Sequence, residues 1–246
     1  MAVVSGGRDE LTRDLVPGGV LRAAINLGNP VLATGTAAAP AGVTVDIARE
    51  LGARLGVPVD LVCFDAARES FEALVRGRAD ICFLAIEPAR AAEVAFTAPY
   101  AVIEGVFVVP EDSGITTLAD VDREHVRIGV NEGSAYDLFL SRTLQRAHLV
   151  RGPDGLGLFR EQDLEAGAGI RQSVEGFVAR HPGFRLIDER FMQIRQALGT
   201  GRTRAPGTIR FLAATIEELK ATGFIGDALR RSGQDGATVA PAESAV

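Results

Sequence analysis

The residues of this chain that can do chemistry are few, and most of that chemistry is hydrogen bonding to a small solute. Gly133-Ser134 follows an apolar run and opens a helical stretch. Backbone N–H groups at such a start make a partial positive pole suited to an anion, while Ser134 also serves as an N-cap. Asn26 and Asn29 bracket the turn after an earlier apolar run, where each can donate to a ligand or shape the turn itself. Glu87, Glu104 and Glu165 are candidate proton donors, but no pattern marks one of them as a general acid. There is no G-x-S-x-G turn, H-E-x-x-H helix, P-loop or metal cluster. Gly155-Leu-Gly157 and Gly167-Ala-Gly169 lack the third glycine of a dinucleotide turn and read as loop glycines. Cys63 and Cys82 sit in apolar runs as buried thiols, and His125, His148 and His181 are scattered without ligand spacing.

The elements that would position these groups follow a regular rhythm. Val20 to Asn26 reads as a buried strand and Val45 to Leu55 as a helix with Ile47, Ala48, Leu51 and Leu55 on one face. Gly56 and Pro58 stop that helix. Val59 to Phe64, Ser70 to Arg76 and Ala79 to Ile86 continue as strand, helix and strand, implying a parallel sheet covered by helices. Val102 to Pro110 is a long strand. A second strand–turn–helix unit then runs from Val126 to Arg146. Gly152 to Gly157 reads as loop, Glu161 to Phe177 as helical or mixed, and Phe184 to Ile187 and Phe191 to Leu198 as strands. Helices at Ile209 to Thr222 and Ile225 to Arg231 precede a frayed end. The expected division is a first lobe at 18–101 and 196–233, a second at 106–190 and a tail at 234–246. Two α/β lobes joined by two crossings make a hinge with a cleft between them.

Composition narrows the class. With 47% hydrophobic and 24% charged residues, the chain reads as globular. A formal net charge of −6 offers no basic stripe for nucleic acid. No apolar run reaches membrane-spanning length, and Met1 to Pro17 is polar, without the apolar centre of a signal peptide.

The stretch Phe83 to Tyr100, FLAIEPARAAEVAFTAPY, resembles the segment T-x-T-x-x-R followed by F-S/T-x-P-Y of the family 3 solute-binding proteins, the polar amino-acid binders of ABC importers. Arg90 holds the arginine position and Phe96 to Tyr100 the second part. Gly19 to Arg22, Gly42 to Leu55, Gly77 to Asp80, Ile128 to Ala135 and Lys220 to Phe224 are similar to further motifs of that family in the same order. The resemblance covers about residues 18 to 233. It implies an α/β, two-lobed, type II periplasmic-binding-protein fold, each lobe a parallel-rich sheet flanked by helices, joined by two hinge crossings.

By that resemblance Arg90 clamps a ligand carboxylate, which its two parallel donors match. The alternative is a surface arginine bridging to Glu87 or Glu93. Cys82, Phe83 and Ala85 form the adjoining strand end, with Ala85 where the family has a hydroxyl residue, and Ala67 stands near the position of an aromatic wall. Gly133, Ser134 and Ala135 supply the second anion contact. Ile170 occupies the position of the aspartate that holds a ligand's α-amine. Either Glu87 or Glu104 substitutes for it, or the ligand lacks that amine, with neighbouring Arg171 favouring a second anionic group. Tyr136, Gln193 and Gln196 are further candidates to line the cleft or hinge.

The implied function is delivery of a small polar carboxylate-bearing ligand to ABC importer membrane subunits. The implied protein is monomeric, works outside the cytoplasmic membrane without inserting into it, and uses no metal or cofactor. In the absence of a signal peptide, a cytoplasmic location stays open. A cyclohexadienyl dehydratase-like lyase, a ligand-sensing module and an interaction module without a small ligand are the alternatives.

Overall fold

The computed structural model describes residues 3–233 and 237–242. They form two compact units: one of residues up to Val102 and from Arg195 onward, the other Ile103–Ile194.

The first unit opens with helix α1 (Val3–Leu15), where sequence patterning suggested only a polar leader. Asp14, near its end, accepts from the backbone N–H of Ala205 and the Thr208 hydroxyl (3.0 and 2.6 Å). There follow β1 (Leu21–Asn26), the hairpin β2 (Thr34–Thr36) and β3 (Ala39–Ala41), α2 (Val43–Leu55), β4 (Val59–Phe64), α3 (Ala67–Val75), β5 (Ile81–Ala85) and the short α4 (Pro88–Ala91). The expected face of α2 is the buried one, and Gly56 ends it at φ 70° in the left-handed region. The chain passes into the second unit within β6 (Val94–Pro110), which begins earlier than its apolar run suggested.

The second unit continues with α5 (Leu118–Val121), β7 (Arg127–Asn131), α6 (Ala135–Thr143), β8 (His148–Gly152), α7 (Gly155–Glu161), β9 (Ala166–Ile170) and α8 (Arg171–Arg180). Two expectations are corrected here. Gly155 and Gly157 belong to α7 rather than to a loop, and the stretch read as helical or mixed contains a five-residue strand before its helix. β9 is AGAGI, and its glycines serve close packing: a Cβ on Gly167 would lie 3.1 Å from the Phe159 ring. The return strand β10 (Phe184–Gly201) merges the two short strands anticipated there, and α9 (Pro206–Ala221), α10 (Phe224–Arg231) and β11 (Thr238–Val239) complete the first unit.

In the first unit β4, β1 and β5 are parallel neighbours and β10 adds antiparallel to β5. In the second, β9, β7 and β8 are parallel and β6 pairs antiparallel with β9. Each unit has its own apolar centre, one around Ala24, Leu74, Cys82 and Leu84, the other around Val106, Phe159, Val174 and Phe177.

The expected frayed end is also corrected in its described part. Thr238 and Val239 pair with Val102 and Ala101, and the Ala240 N–H donates to the Tyr100 carbonyl (3.1 Å). Lys220 is buried and its Nζ donates to the carbonyls of Pro99 (3.2 Å) and Pro241 (3.0 Å). The remainder of 234–246 lies outside the described residues.

Candidate functional site

In an open parallel sheet, loops at the carboxyl ends of the strands are free to carry binding groups. The candidate residues fall at or beside those ends, in each unit separately, except Glu165, which precedes β9 at the opposite edge.

In the first unit the ends are Asn26, Phe64 and Ala85. The two asparagines act on the turn: Asn26 Oδ1 accepts from the Gly28 N–H (3.1 Å) and Asn29 Oδ1 from the Val31 N–H (3.3 Å). Glycine is required at 28, since a Cβ there would lie 2.1 Å from the Asp65 carbonyl oxygen. Cys82, Phe83 and Ala85 are all buried in β5. Arg90 follows on α4 and is only 3% exposed, so the alternative of a surface arginine does not apply. Its Nη1 donates to the Ala85 carbonyl (3.2 Å), which aims the guanidinium along the strand end. Burial lowers its pKa to about 10, with the Cys82 and Glu87 charges opposing that shift, so the group remains a cation at neutral pH. Glu87, 3% exposed, is buried with it. Burial pushes the Cys82 thiol up to about 12, which removes it as a nucleophile.

In the second unit β7 ends at Asn131, and Gly133 turns the chain at φ 70°. Ser134 caps α6 by accepting from the Asp137 N–H (3.1 Å). Asp137, 4% exposed, was not singled out in the sequence. It accepts from the Gly133 N–H (2.9 Å) and from Arg151 Nε (2.9 Å), so the turn before α6 already carries a carboxylate. Ser134-Ala-Tyr-Asp137, an S-x-x-D start, is the signal that could have found it. Ala135 and Tyr136 are buried, and burial raises the Tyr136 phenol far above its ordinary pKa.

β9 ends at Ile170, 8% exposed, and α8 begins with Arg171. Arg171 Nε donates to Glu104 Oε2 (2.7 Å), Nη1 to Asp188 Oδ1 (2.9 Å) and Nη2 to the Asp188 carbonyl (2.6 Å). Arg190 Nη1 donates to the other Glu104 oxygen (2.7 Å). Hydrogen bonds from Arg190 and Arg171 hold the Glu104 carboxyl below the usual glutamate range. Glu104 and Arg171 therefore neutralise each other instead of standing as bare charges. Glu165 is likewise engaged, pairing with Arg127 through both oxygens (2.9 Å each). Gln196 is buried in β10 and Gln193 exposed. Ala67 starts α3 and itself supplies no ring. Among the described residues no group of His, Cys, Asp and Glu could hold a metal ion, and no helix is long and apolar enough to cross a membrane.

The sequence profile of the bacterial extracellular solute-binding proteins, family 3, matches residues 21–232. The chain belongs to that family. No curated protein matches it in sequence. Among solved structures, a mutant of ArgBP from T. maritima superposes with a TM-score of 0.74 at 20% identity, over 93% of this chain and 100% of the other. AbpA of Streptococcus pneumoniae, an amino acid ABC transporter substrate-binding protein bound to L-arginine, gives 0.73 at 18%, over 89% and 96%. An ancestral amino acid-binding protein described as a precursor of cyclohexadienyl dehydratase gives 0.73 at 18%, over 91% and 97%. At these identities the likeness shows the fold, which is that of type II periplasmic binding proteins. As a family 3 protein, the chain is a solute binder with a mixed α/β architecture, as its sequence led us to expect.

Proposed function

We propose that this family 3 protein binds a small polar ligand bearing a carboxylate and presents the ligand-bound form to the membrane subunits of an ABC importer outside the cytoplasmic membrane. The observation that carries this reading is the buried Arg90, a cation at neutral pH fixed to the Ala85 carbonyl at the carboxyl end of β5. A guanidinium held in place at a strand end offers parallel donors that match the geometry of a carboxylate. The start of α6, at Ala135, is the second place where backbone N–H groups suit an anion. Ligand binding shifts the population toward the form that the importer reads. The protein works as a monomer, without cofactor or metal.

The likeness to a dehydratase precursor keeps a lyase reading in view. Two of the three acids it could use argue against it. Glu104 and Glu165 are both held below the usual carboxylate range by arginine, which makes each a poor proton donor at neutral pH. Absence of turnover of prephenate and arogenate is the expected result.

The test is thermal stability against amino acids, dicarboxylates, keto acids, aromatic acids and small amines. A ligand at 100 times its dissociation constant adds about 2.7 kcal/mol, a shift of several degrees for a chain of this size. The shift is expected from carboxylates and lost in Arg90→Ala. A carboxylate that protects Arg90→Ala as well as the parent removes the clamp.

A further inference from the structure

Gln172, the second residue of α8, stands out at the carboxyl edge of the second unit. Both its Oε1 and Nε2 are buried, and neither has a hydrogen-bond partner among the described residues. A buried polar atom left unpaired is costly, and native proteins keep few of them without a reason. The charges around it do not supply that reason. Glu104 and Asp188 are met by Arg171 and Arg190 within hydrogen-bond distance, and Glu175 lies 3.9 Å from Arg171, so these acids and bases engage one another and not Gln172. Ile170, directly before this cluster, is nearly buried and has no polar side-chain atom. The unmet hydrogen-bonding capacity here is therefore neutral, one donor group and one acceptor side by side. Its place in the unit is suited to a ligand. β9 lies parallel beside β7, with Ile128 opposite Ala166 and Gly129 opposite Gly167, so α8 and α6 start from adjacent strand ends on the same edge.

We propose that Gln172 is a specificity-determining residue of the second unit, and that its carboxamide pairs with a neutral donor–acceptor group of the ligand, a carboxamide or ureido group, in preference to an ammonium or a second carboxylate. This rests on the ligand-binding reading above and narrows it. A primary amide returns both hydrogen bonds of Gln172 at once. An ammonium satisfies only its oxygen and a carboxylate only its nitrogen, each leaving the other atom unpaired.

The test uses the full chain and two sets of probes that differ only in one end group: succinamate, succinate and 4-aminobutyrate, and one carbon longer, glutaramate, glutarate and 5-aminopentanoate. Calorimetric titration is expected to rank the amide first in at least one set, by about tenfold or more, as expected when an otherwise unpaired site is matched. Gln172→Leu is expected to reduce that preference to within about twofold while leaving the melting temperature unchanged or raised. Gln172→Glu, nearly the same shape, is expected to shift the preference toward the ammonium member, and it gives the answer should Gln172→Leu fail to fold. If carboxylates bind but the amide is not preferred, or the preference survives both substitutions, the inference is overturned while the binding function stands. If the broad ligand panel finds nothing that binds, the function falls, and the inference with it.

Discussion

Asp80 shows how much one side chain can hold. It is 1% exposed at the entry to β5, and its oxygens accept from the Arg22 backbone N–H (2.9 Å), from Arg22 Nε and Nη2 (3.0 and 2.8 Å) and from Arg204 Nη2 (3.2 Å). Removing it strips the partner from two arginines and from a backbone donor. Asp80→Ala is expected to cost about 2–4 kcal/mol and lower the melting temperature by about 5–15 °C, read by calorimetry. Glu104 makes a pH-dependent contribution of the opposite character. Its folded pKa lies below that of an unfolded glutamate, about 4.3, chiefly through Arg190 and then Arg171. Its pairing therefore stabilises the fold above that pH and is lost as pH falls through the depressed value. A carboxyl carbon titration should place its midpoint below that of ordinary glutamates, and Arg190→Ala should raise it. Both residues were visible in the sequence as charges. Their partners were not, because Asp80 with Arg204 and Glu104 with Arg171 are distant in the chain and meet only through the topology.

Elements divided by the physics that marks them. α2 and β5 were legible because a one-sided apolar face and a continuous apolar run have distinct periods. α1 escaped because its sequence, VVSGGRDELTRDL, is polar overall and carries two glycines, and its place is fixed in part by Asp14 reaching the start of α9, whose own N-cap is Ala205. β9 escaped because alanine and glycine carry little strand preference; its neighbours define it. The same reasoning explains the pairing of α7 with β7. A Cβ on Gly129 would sit 2.3 Å from the Gly155 carbonyl oxygen, and one on Gly155 would meet the Val130 backbone at 2.5 Å. Strand and helix touch there backbone to backbone. Gly129→Ala is expected to force them apart and cost about 1–3 kcal/mol or more, seen as a lower denaturant midpoint with an unchanged slope. The candidate site was legible to the extent that its parts were local. Arg90, Ser134 and Ile170 could be named from motifs, whereas Asp137 and Gln172 emerge only when every buried polar atom is matched with its partner.

At the scale of the whole molecule, the chain leaves the first unit between Val102 and Ile103 and returns between Ile194 and Arg195. The C-terminal segment fastens itself next to the first of these places, pairing at Ala101 and Val102 and held by Lys220 through Pro99 and Pro241. A chain ending at Gly233 is expected to leave that edge of β6 unpaired. Amide exchange at 100–102 should quicken by about tenfold or more while β7, in the other unit, keeps its protection. Unchanged exchange at those positions would show that the segment contributes nothing to the edge.

Lys220 is also the sole lysine of the chain, every other basic side chain that is cationic at neutral pH being arginine. Its amine is inaccessible beneath the C-terminal segment. Amine-reactive dyes applied to the native protein should therefore leave the Lys220 side chain unlabelled. A dye should appear there only as the segment lifts, so the labelling rate of a single atom becomes a clock for that opening.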